Sequence, residues 1–475
     1  MTVRFALRTG GRRTGARAGI AAVLAAVLAS APAAAITPPQ IDPAVPPPDG
    51  APGPVLPMEQ RGECVSSGVL PGTDPGATSA AQSMLNLPEA WQSSRGDGQT
   101  VAIIDTGVRP GPRLPAVEPG GDYVGPGDGL ADCDGHGTLV AGIVAGQPGE
   151  DGFAGVAPAA RLLALRVTSA AFSPRAVGDD PSRVRAEADI AALSRAIVRA
   201  ADLGARVITV STVTCLPADH NVDQTGLGAA LRYAAIEKDA VVVAAAGNRG
   251  QTGSVGGGGA TCEANPLTDL SRPQDPRNWG GVTSISVPSW WQPYVLSVAA
   301  LDSGGQPAGF TMAGPWVGVA APGQDIVSVS NRDDGGLANG LPGNQGKLVA
   351  LSGTSYAAGY VAGIAALVRA RYPDLTAAQV VRRITATAHN SARAPSGLVG
   401  AGTVDPVAAL TWELTAPPDG GQAPAKQLAA PAAPPRRDPA PRIVAFAGTA
   451  ALAALVAAVA AQTALRARRR KDIRL

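Results

Sequence analysis

The residues best suited to chemistry are a serine, a histidine, an aspartate and an asparagine set far apart along the chain. The stretch Ser352-Gly353-Thr354-Ser355-Tyr356-Ala357-Ala358 follows an apolar run, Lys347 to Leu351, and opens an Ala-rich run without proline, Tyr356 to Arg371. That pattern predicts a strand or loop, a tight Gly turn, then a buried helix. A serine at such a helix start sits where backbone N–H groups and the helix dipole favour a developing negative charge. It is either a helix cap or a nucleophile, and a nucleophile needs a base and a group to orient that base. His136 can be the base, because imidazole titrates near neutrality. It opens a run in which Leu139, Val140, Ile143 and Val144 recur at helical spacing. Asp105 ends the short apolar run from Thr100, which reads as a buried parallel strand with a carboxylate at its C-terminal end. Such a carboxylate holds the imidazole tautomer and stabilises the imidazolium. Asn248, in Ala245-Ala246-Gly247-Asn248, can offer its side-chain amide to an oxyanion beside the backbone N–H of Ser355. The chemistry that results is acyl transfer by a serine nucleophile, without metal or cofactor.

Elements that would bring these four together can be read in order. Thr78 to Trp91 reads as a short helix that Pro88 can break. Strands are expected at Thr100–Asp105, Arg161–Val167, Arg206–Ser211, Ala240–Ala246, Tyr294–Ala300 and Val317–Ala320. Helices are expected from His136, over Glu187–Leu203, over Gly226–Lys238, from Ser355, and over Thr376–Ala386 as the last. Thr168–Arg185 and Arg249–Gly281 read as polar insertions. Strands alternating with helices imply an α/β fold, a parallel sheet with helices on both faces. In such sheets the site lies beyond the carboxyl ends of the strands, where Asp105 and Asn248 both fall.

Each motif alone is a modest signal; the four in the order Asp, His, Asn, Ser on one α/β sheet are a strong one. Ile104-Asp105-Thr106-Gly107, Asp134-Gly135-His136-Gly137-Thr138, Ala246-Gly247-Asn248 and Gly353-Thr354-Ser355 resemble the motifs of subtilisin-like serine proteases over roughly residues 80 to 412. One rival pairs Asp105-Thr106-Gly107 with Asp302-Ser303-Gly304, as in pepsin-like aspartic proteases where two carboxylates share a proton. That fold is all-β, and it leaves His136 and Ser355 unexplained, so Asp302 reads as a turn residue after a strand. A narrower resemblance, carried by Asp132 to Gly142 and by Val287-Pro288-Ser289-Trp290-Trp291-Gln292-Pro293-Tyr294-Val295-Leu296, is to the mycosins, membrane-anchored subtilases of type VII secretion systems. It implies proteolytic processing of secreted protein substrates and stabilisation of a secretion membrane complex. Two departures stand out. Ala357-Ala358-Gly359 replaces the usual Ala-Ala-Pro after the serine motif. Ser211-Thr212-Val213 replaces the Ser-Leu-Gly common in secreted subtilisins, which implies a different or narrower specificity pocket.

The termini and cysteines complete the layout. Arg4 to Arg17 supply a basic region, Ile20 to Leu28 a short apolar one, and Ala31-Pro32-Ala33 and Ala33-Ala34-Ala35 both fit small-residue cleavage sites. Residues 1–35 therefore read as a signal peptide and 36–79, rich in Pro and Gly, as an extended N-terminal arm that wraps the core. Residues 80–412 read as the peptidase domain and 413–441 as a Pro-rich linker that reaches roughly 80 Å at about 3.1 Å per residue when extended. Residues 442–465 read as one transmembrane helix and 466–475 as a basic tail, cytoplasmic by the positive-inside rule. The catalytic domain would then be extracytoplasmic on a single-pass anchor. Four cysteines, Cys64, Cys133, Cys215 and Cys262, in an exported chain imply two disulfides rather than a zinc site. Cys215 and Cys262 follow strands expected to be neighbours, which makes their pairing reasonable and leaves Cys64 with Cys133; the mycosin resemblance implies the same pairing. His220 and His389 read as solvated or helix-terminal residues. A formal net charge of +2 gives no electrostatic case for nucleic acid. Three function readings remain: an active membrane-tethered endopeptidase serving type VII secretion, a structural subunit whose protease site is dispensable, and a surface protease unrelated to secretion.

Overall fold

The structure, a computed structural model, describes residues 36–175, 180–220, 222–250, 261–267, 269, 271–343, 346–391 and 395–414, and within 447–463 all but 449, 457 and 460. The expected leader, most of the linker and the basic tail lie outside the described residues. The chain divides into two units, Met1–Leu414 and Thr415–Leu475. In the second, the described residues are helical. Among the described residues, no helix is long and apolar enough to cross a membrane.

The first unit is built on a parallel sheet. Its first eleven strands in chain order begin with β1 (Met58–Gln60), β2 (Thr100–Asp105), β3 (Val117–Asp122), β4 (Arg161–Arg166), β5 (Phe172–Pro174) and β6 (Val207–Val210). β7 (Thr214–Pro217), β8 (Val241–Ala245), β9 (Ser284–Val287), β10 (Val295–Leu301) and β11 (Val317–Pro322) follow. Seven of them form one sheet in the order β11-β10-β8-β6-β2-β4-β3, every pair parallel. Helices are α1 (Ala80–Leu85), α2 (Leu87–Ala90), α3 (His136–Ala145), α4 (Pro181–Asp202), α5 (Thr225–Arg232), α6 (Thr354–Arg371), α7 (Ala377–Thr387) and α8 (Pro406–Thr411).

Strand alternation explains the layers. On β2, Val101 and Ile103 join the cluster containing α3 and α6, while Ala102 and Ile104 join the one containing α4 and α5. On β8, Val241 and Val243 face the first cluster and Val242 and Ala244 the second. Strands buried on both faces read as continuous apolar runs, which is why they were legible. From Thr354 to Arg369 every residue of α6 is buried. An apolar helix without a polar face belongs inside, and here it lies on β6, β8, β10 and β11 and is covered by α3, α7 and α8.

Several elements depart from expectation. The break in the first helical stretch falls at Asn86, which is left-handed, while Pro88 sits harmlessly in the first turn of α2. α4 begins six residues early, because Asp180 accepts from the Arg183 amide (3.1 Å) with Pro181 at the first helical position. The supposed insertion at 168–185 is thus partly helix, and its β5 pairs antiparallel with β1 of the arm. After Arg232 the next helix continues as one π-helical turn, Tyr233–Glu237. β3 was missed because Pro119, Gly120 and Gly121 interrupt its pattern; it is tolerated as an edge strand. α8, a single short turn capped by Asp405 on the Ala408 amide (2.9 Å), follows what had read as the last helix.

The arm runs over the core. Its backbone bonds to Asp122, Ala171, Cys133 and Gly340, and Ser67 N–H donates to Asn331 Oδ1 (2.9 Å). Cys64 is bonded to Cys133 and Cys215 to Cys262, with Cα–Cα distances of 4.4 and 5.2 Å. Cys215 lies in β7, just beyond β6, and Cys262 lies beyond β8, so neighbouring strands do deliver both to one end of the sheet.

Candidate active site

Asp105 is the last residue of β2 and is fully buried. Its Oδ1 accepts from the Thr106 amide (2.7 Å) and lies 2.8 Å from His136 Nδ1. His136, the first residue of α3, presents Nε2 at 2.9 Å from Ser355 Oγ. Ser355 is the second residue of α6, after Gly353 in extended conformation. Residues 31 and 219 positions from His136 therefore meet on its two ring nitrogens. With Nδ1–H donating to the carboxylate, the Nε2 lone pair faces the serine hydroxyl.

The approach is close because it is made of glycine. A Cβ on Gly137 would lie 2.0 Å from the Gly107 carbonyl oxygen and 3.1 Å from Asp105 Cβ. Only glycine lets the start of α3 press against the turn after β2.

Asn248 lies three residues beyond β8. Its Oδ1 accepts from the Thr354 amide (2.9 Å) and hydroxyl (3.0 Å), and Thr354 Oγ1 accepts from the Gly247 amide (3.1 Å). With the oxygen so engaged, the amide nitrogen is turned the other way. A Cβ on Gly353 would lie 3.4 Å from Asn248 Nδ2 and 3.0 Å from Ser355 Oγ, so the two atoms border one small space.

Asp132, part of the stretch around His136, has a role that the sequence alone does not reveal. This buried carboxylate accepts from Thr106 Oγ1 (2.8 Å), the Gly135 amide (2.8 Å), the Thr138 amide (2.8 Å) and the Thr138 hydroxyl (2.6 Å). Thr106 Oγ1 in turn accepts from the Gly137 amide (2.9 Å). Asp132 thereby ties the aspartate turn to the start of the histidine helix. Burial raises its pKa to about 6, against the opposing effect of the hydrogen bonds from Thr138 and Thr106. A carboxylate and two hydroxyls around a helix start are the available signal, since such groups cap exposed amides. Tyr356 was also missed; its ring lies 5.1 Å from the His136 ring, centroid to centroid. Burial of His136 opposes its protonation, but Asp105, then Asp132 and Asp134, outweigh it, and the net shift of its pKa is upward.

The remaining candidates fall away from this cluster. Asp302 follows β10 and accepts from the Gly304 and Gln306 amides (2.9 Å each), as a turn residue does. His220 and His389 are exposed, the latter 3.8 Å from Asp405. Gly359 faces Val140 and Ile143 of α3, where an added Cβ would meet both at 3.4 Å. A Cβ there makes ordinary van der Waals contact, and neither neighbour belongs to the cluster, so the departure from Ala-Ala-Pro does not reach it.

Comparison with known proteins gives the family. The family model described as the subtilase family matches residues 96–402. Mycosin-3 of Mycobacterium tuberculosis is 66% identical over 92% of this chain and 94% of its own length. The structure of the MycP3 protease from the type VII (ESX-3) secretion system is 65% identical, with a TM-score of 0.76, over 80% of this chain and all of that one. A chain of an intact ESX-5 inner membrane complex is 46% identical, with a TM-score of 0.77, over 89% of this chain and 99% of that one. A subtilase match over most of the folded unit and high identity to a mycosin along nearly the whole chain leave one assignment: this protein belongs to the subtilase family of serine endopeptidases, and within it to the mycosins.

Proposed function

We propose that the protein cuts protein substrates of a type VII secretion system, using Asp105, His136 and Ser355 as a catalytic triad. The observation that carries this reading is the pair of contacts at 2.8 and 2.9 Å on the two nitrogens of His136. Ser355 Oγ attacks the scissile carbonyl carbon while His136 Nε2 takes its proton. Asp105 stabilises the imidazolium, which then protonates the leaving amine. Asn248 Nδ2 and the Ser355 amide donate to the oxyanion at the positively polarised start of α6. Water repeats the sequence on the acyl-enzyme. Ser211-Thr212-Val213, directly after β6, gives a different or narrower specificity pocket.

Residues 442–465 anchor the protein by a single span, with the peptidase unit outside the cytoplasm and the basic tail within it; the apolar run followed by six Lys and Arg residues supports this topology. The test is fluorophosphonate labelling of the detergent-solubilised protein, with mass mapping of the labelled residue. Labelling at Ser355 supports the reading, and a folded protein that resists the reagent overturns it. A second role, stabilising the secretion membrane complex, is favoured by the likeness to a chain of such a complex. A Ser355→Ala chain that restores secretion to cells lacking the protein would show that this role is independent of cutting.

Two further results are expected. Asn248→Ala lowers kcat by about 10²–10³ with little change in KM, because its amide bonds the oxyanion and not the ground-state carbonyl. An equal rise in KM at constant kcat would assign Asn248 to substrate binding instead. The acid limb of kcat/KM lies above the ordinary histidine value of about 6.5, since the neutral form is the base and carboxylates hold its pKa up. Activity is lost as pH falls through that limb; a limb below 6.5 contradicts the assignment.

A further inference from the structure

On the arm side of the folded unit is a half-open groove of about 920 Å³ that the triad does not use. Its walls include Ile41, Val222, Ile285 and Trp290, with the first described residue of the chain, Ile36, beside them. Ile36 and Ile41 pack on the same hydrophobic cluster as these walls. The indole N–H groups of Trp290 and Trp291 both donate to Gln224 Oε1 (2.8 and 3.0 Å), which fixes the two rings. The charged and titratable groups lining the groove are Asp42 from the arm and Asp219, His220 and Asp223 from the segment between β7 and α5. No lysine or arginine is among the described residues that line it. Three carboxylates over an apolar, Trp-bearing floor favour a cation attached to a small apolar group.

We propose that this groove holds the protein's own new N-terminus. The two small-residue cleavage sites end at Ala33 and Ala35, so hydrolysis by a host leader peptidase leaves an α-ammonium on Ala34 or on Ile36, and Ile36 itself lines the groove. Water adds across the cut bond: the leader departs with the carboxylate and the mature chain keeps the amine. That amine, charged below its pKa, lies among Asp42, Asp219 and Asp223 and fastens the arm to the core as soon as the leader is gone. Before cleavage the same position carries a neutral peptide bond, while Asp42 accepts from the Ala44 amide (2.9 Å) and Asp223 from the Thr225 amide and hydroxyl (2.9 and 2.6 Å). The proposal rests on reading residues 1–35 as a removed leader.

The test uses the full chain, exported and purified in detergent. N-terminal sequencing identifies the first residue. Reductive methylation with ¹³C-formaldehyde then reports the pKa of the α-amine by NMR, against only four lysines, Lys238, Lys347, Lys426 and Lys471. The expected value is raised by about one unit from the ordinary 7.7–8.0. It returns to that range in a variant carrying Asp42→Asn and Asp219→Asn, with peptide hydrolysis unchanged. An unshifted amine on a chain starting at Ala34 or Ile36 overturns the proposal and leaves the leader reading intact. A shift that persists in the double variant also overturns it. A retained leader overturns both.

Discussion

Ser355→Ala abolishes turnover: kcat falls by roughly six orders of magnitude, to the level that binding and the oxyanion donors sustain alone. The fold has little reason to change. Ser355 is buried at a helix start, and Gly353 and Thr354 with its bonds to Asn248 are untouched. His136→Ala has an effect of the same size, and the double variant is no worse than either single one, because the two residues act as one unit. The check is peptide hydrolysis under single-turnover conditions, with thermal unfolding alongside. A Ser355→Ala protein with more than a few per cent of wild-type activity would place the nucleophile elsewhere and end the triad reading.

Asp105→Ala is expected to cost about 10⁴ in kcat. It removes the charge that stabilises the imidazolium and frees the ring to turn. Asp105→Asn should cost less, for a reason particular to this site. The same oxygen, Oδ1, accepts from both the Thr106 amide and His136 Nδ1. An asparagine that kept its oxygen there would satisfy both donors and hold the productive tautomer; an amide nitrogen there would face the Thr106 N–H. Only the charge is lost, not the tautomer. The two variants, compared by kcat and by the acid limb of kcat/KM, separate the effects. Equal losses in both would mean that orientation contributes nothing here.

What could be read in advance divides along physical lines. β2, β6 and β8 are buried on both faces and announce themselves as apolar runs, so Asp105 and Asn248 could be placed at the ends of strands. His136 and Ser355 open apolar helices just after a glycine, a local signal as well, although Gly135 is left-handed as a turn requires and Gly353 is extended rather than the expected turn. β3 was hidden because its proline and glycines are acceptable only at a sheet edge, and edge position is a tertiary fact. The start of α4 depended on a cap, Asp180, that the proline beside it disguised as a loop. Asp132 sits in the histidine motif, but its meaning lies in joining local donors, the Asp134, Gly135 and Thr138 amides and the Thr138 hydroxyl, to the distant Thr106 hydroxyl that the fold brings to it. The pairing of β1 with β5 was beyond reach, since neither three-residue stretch carries a period of its own.

The order of strands also sets a timetable. α6 packs on β6, β8, β10 and β11, all of which precede it in the chain, and 219 positions separate His136 from Ser355. A chain still being made can carry Asp105 and His136 long before it carries a nucleophile. Contacts so distant in sequence close late in folding. On the triad reading, the site stays incomplete until Ser355 has been made and α6 has packed onto the strands that precede it.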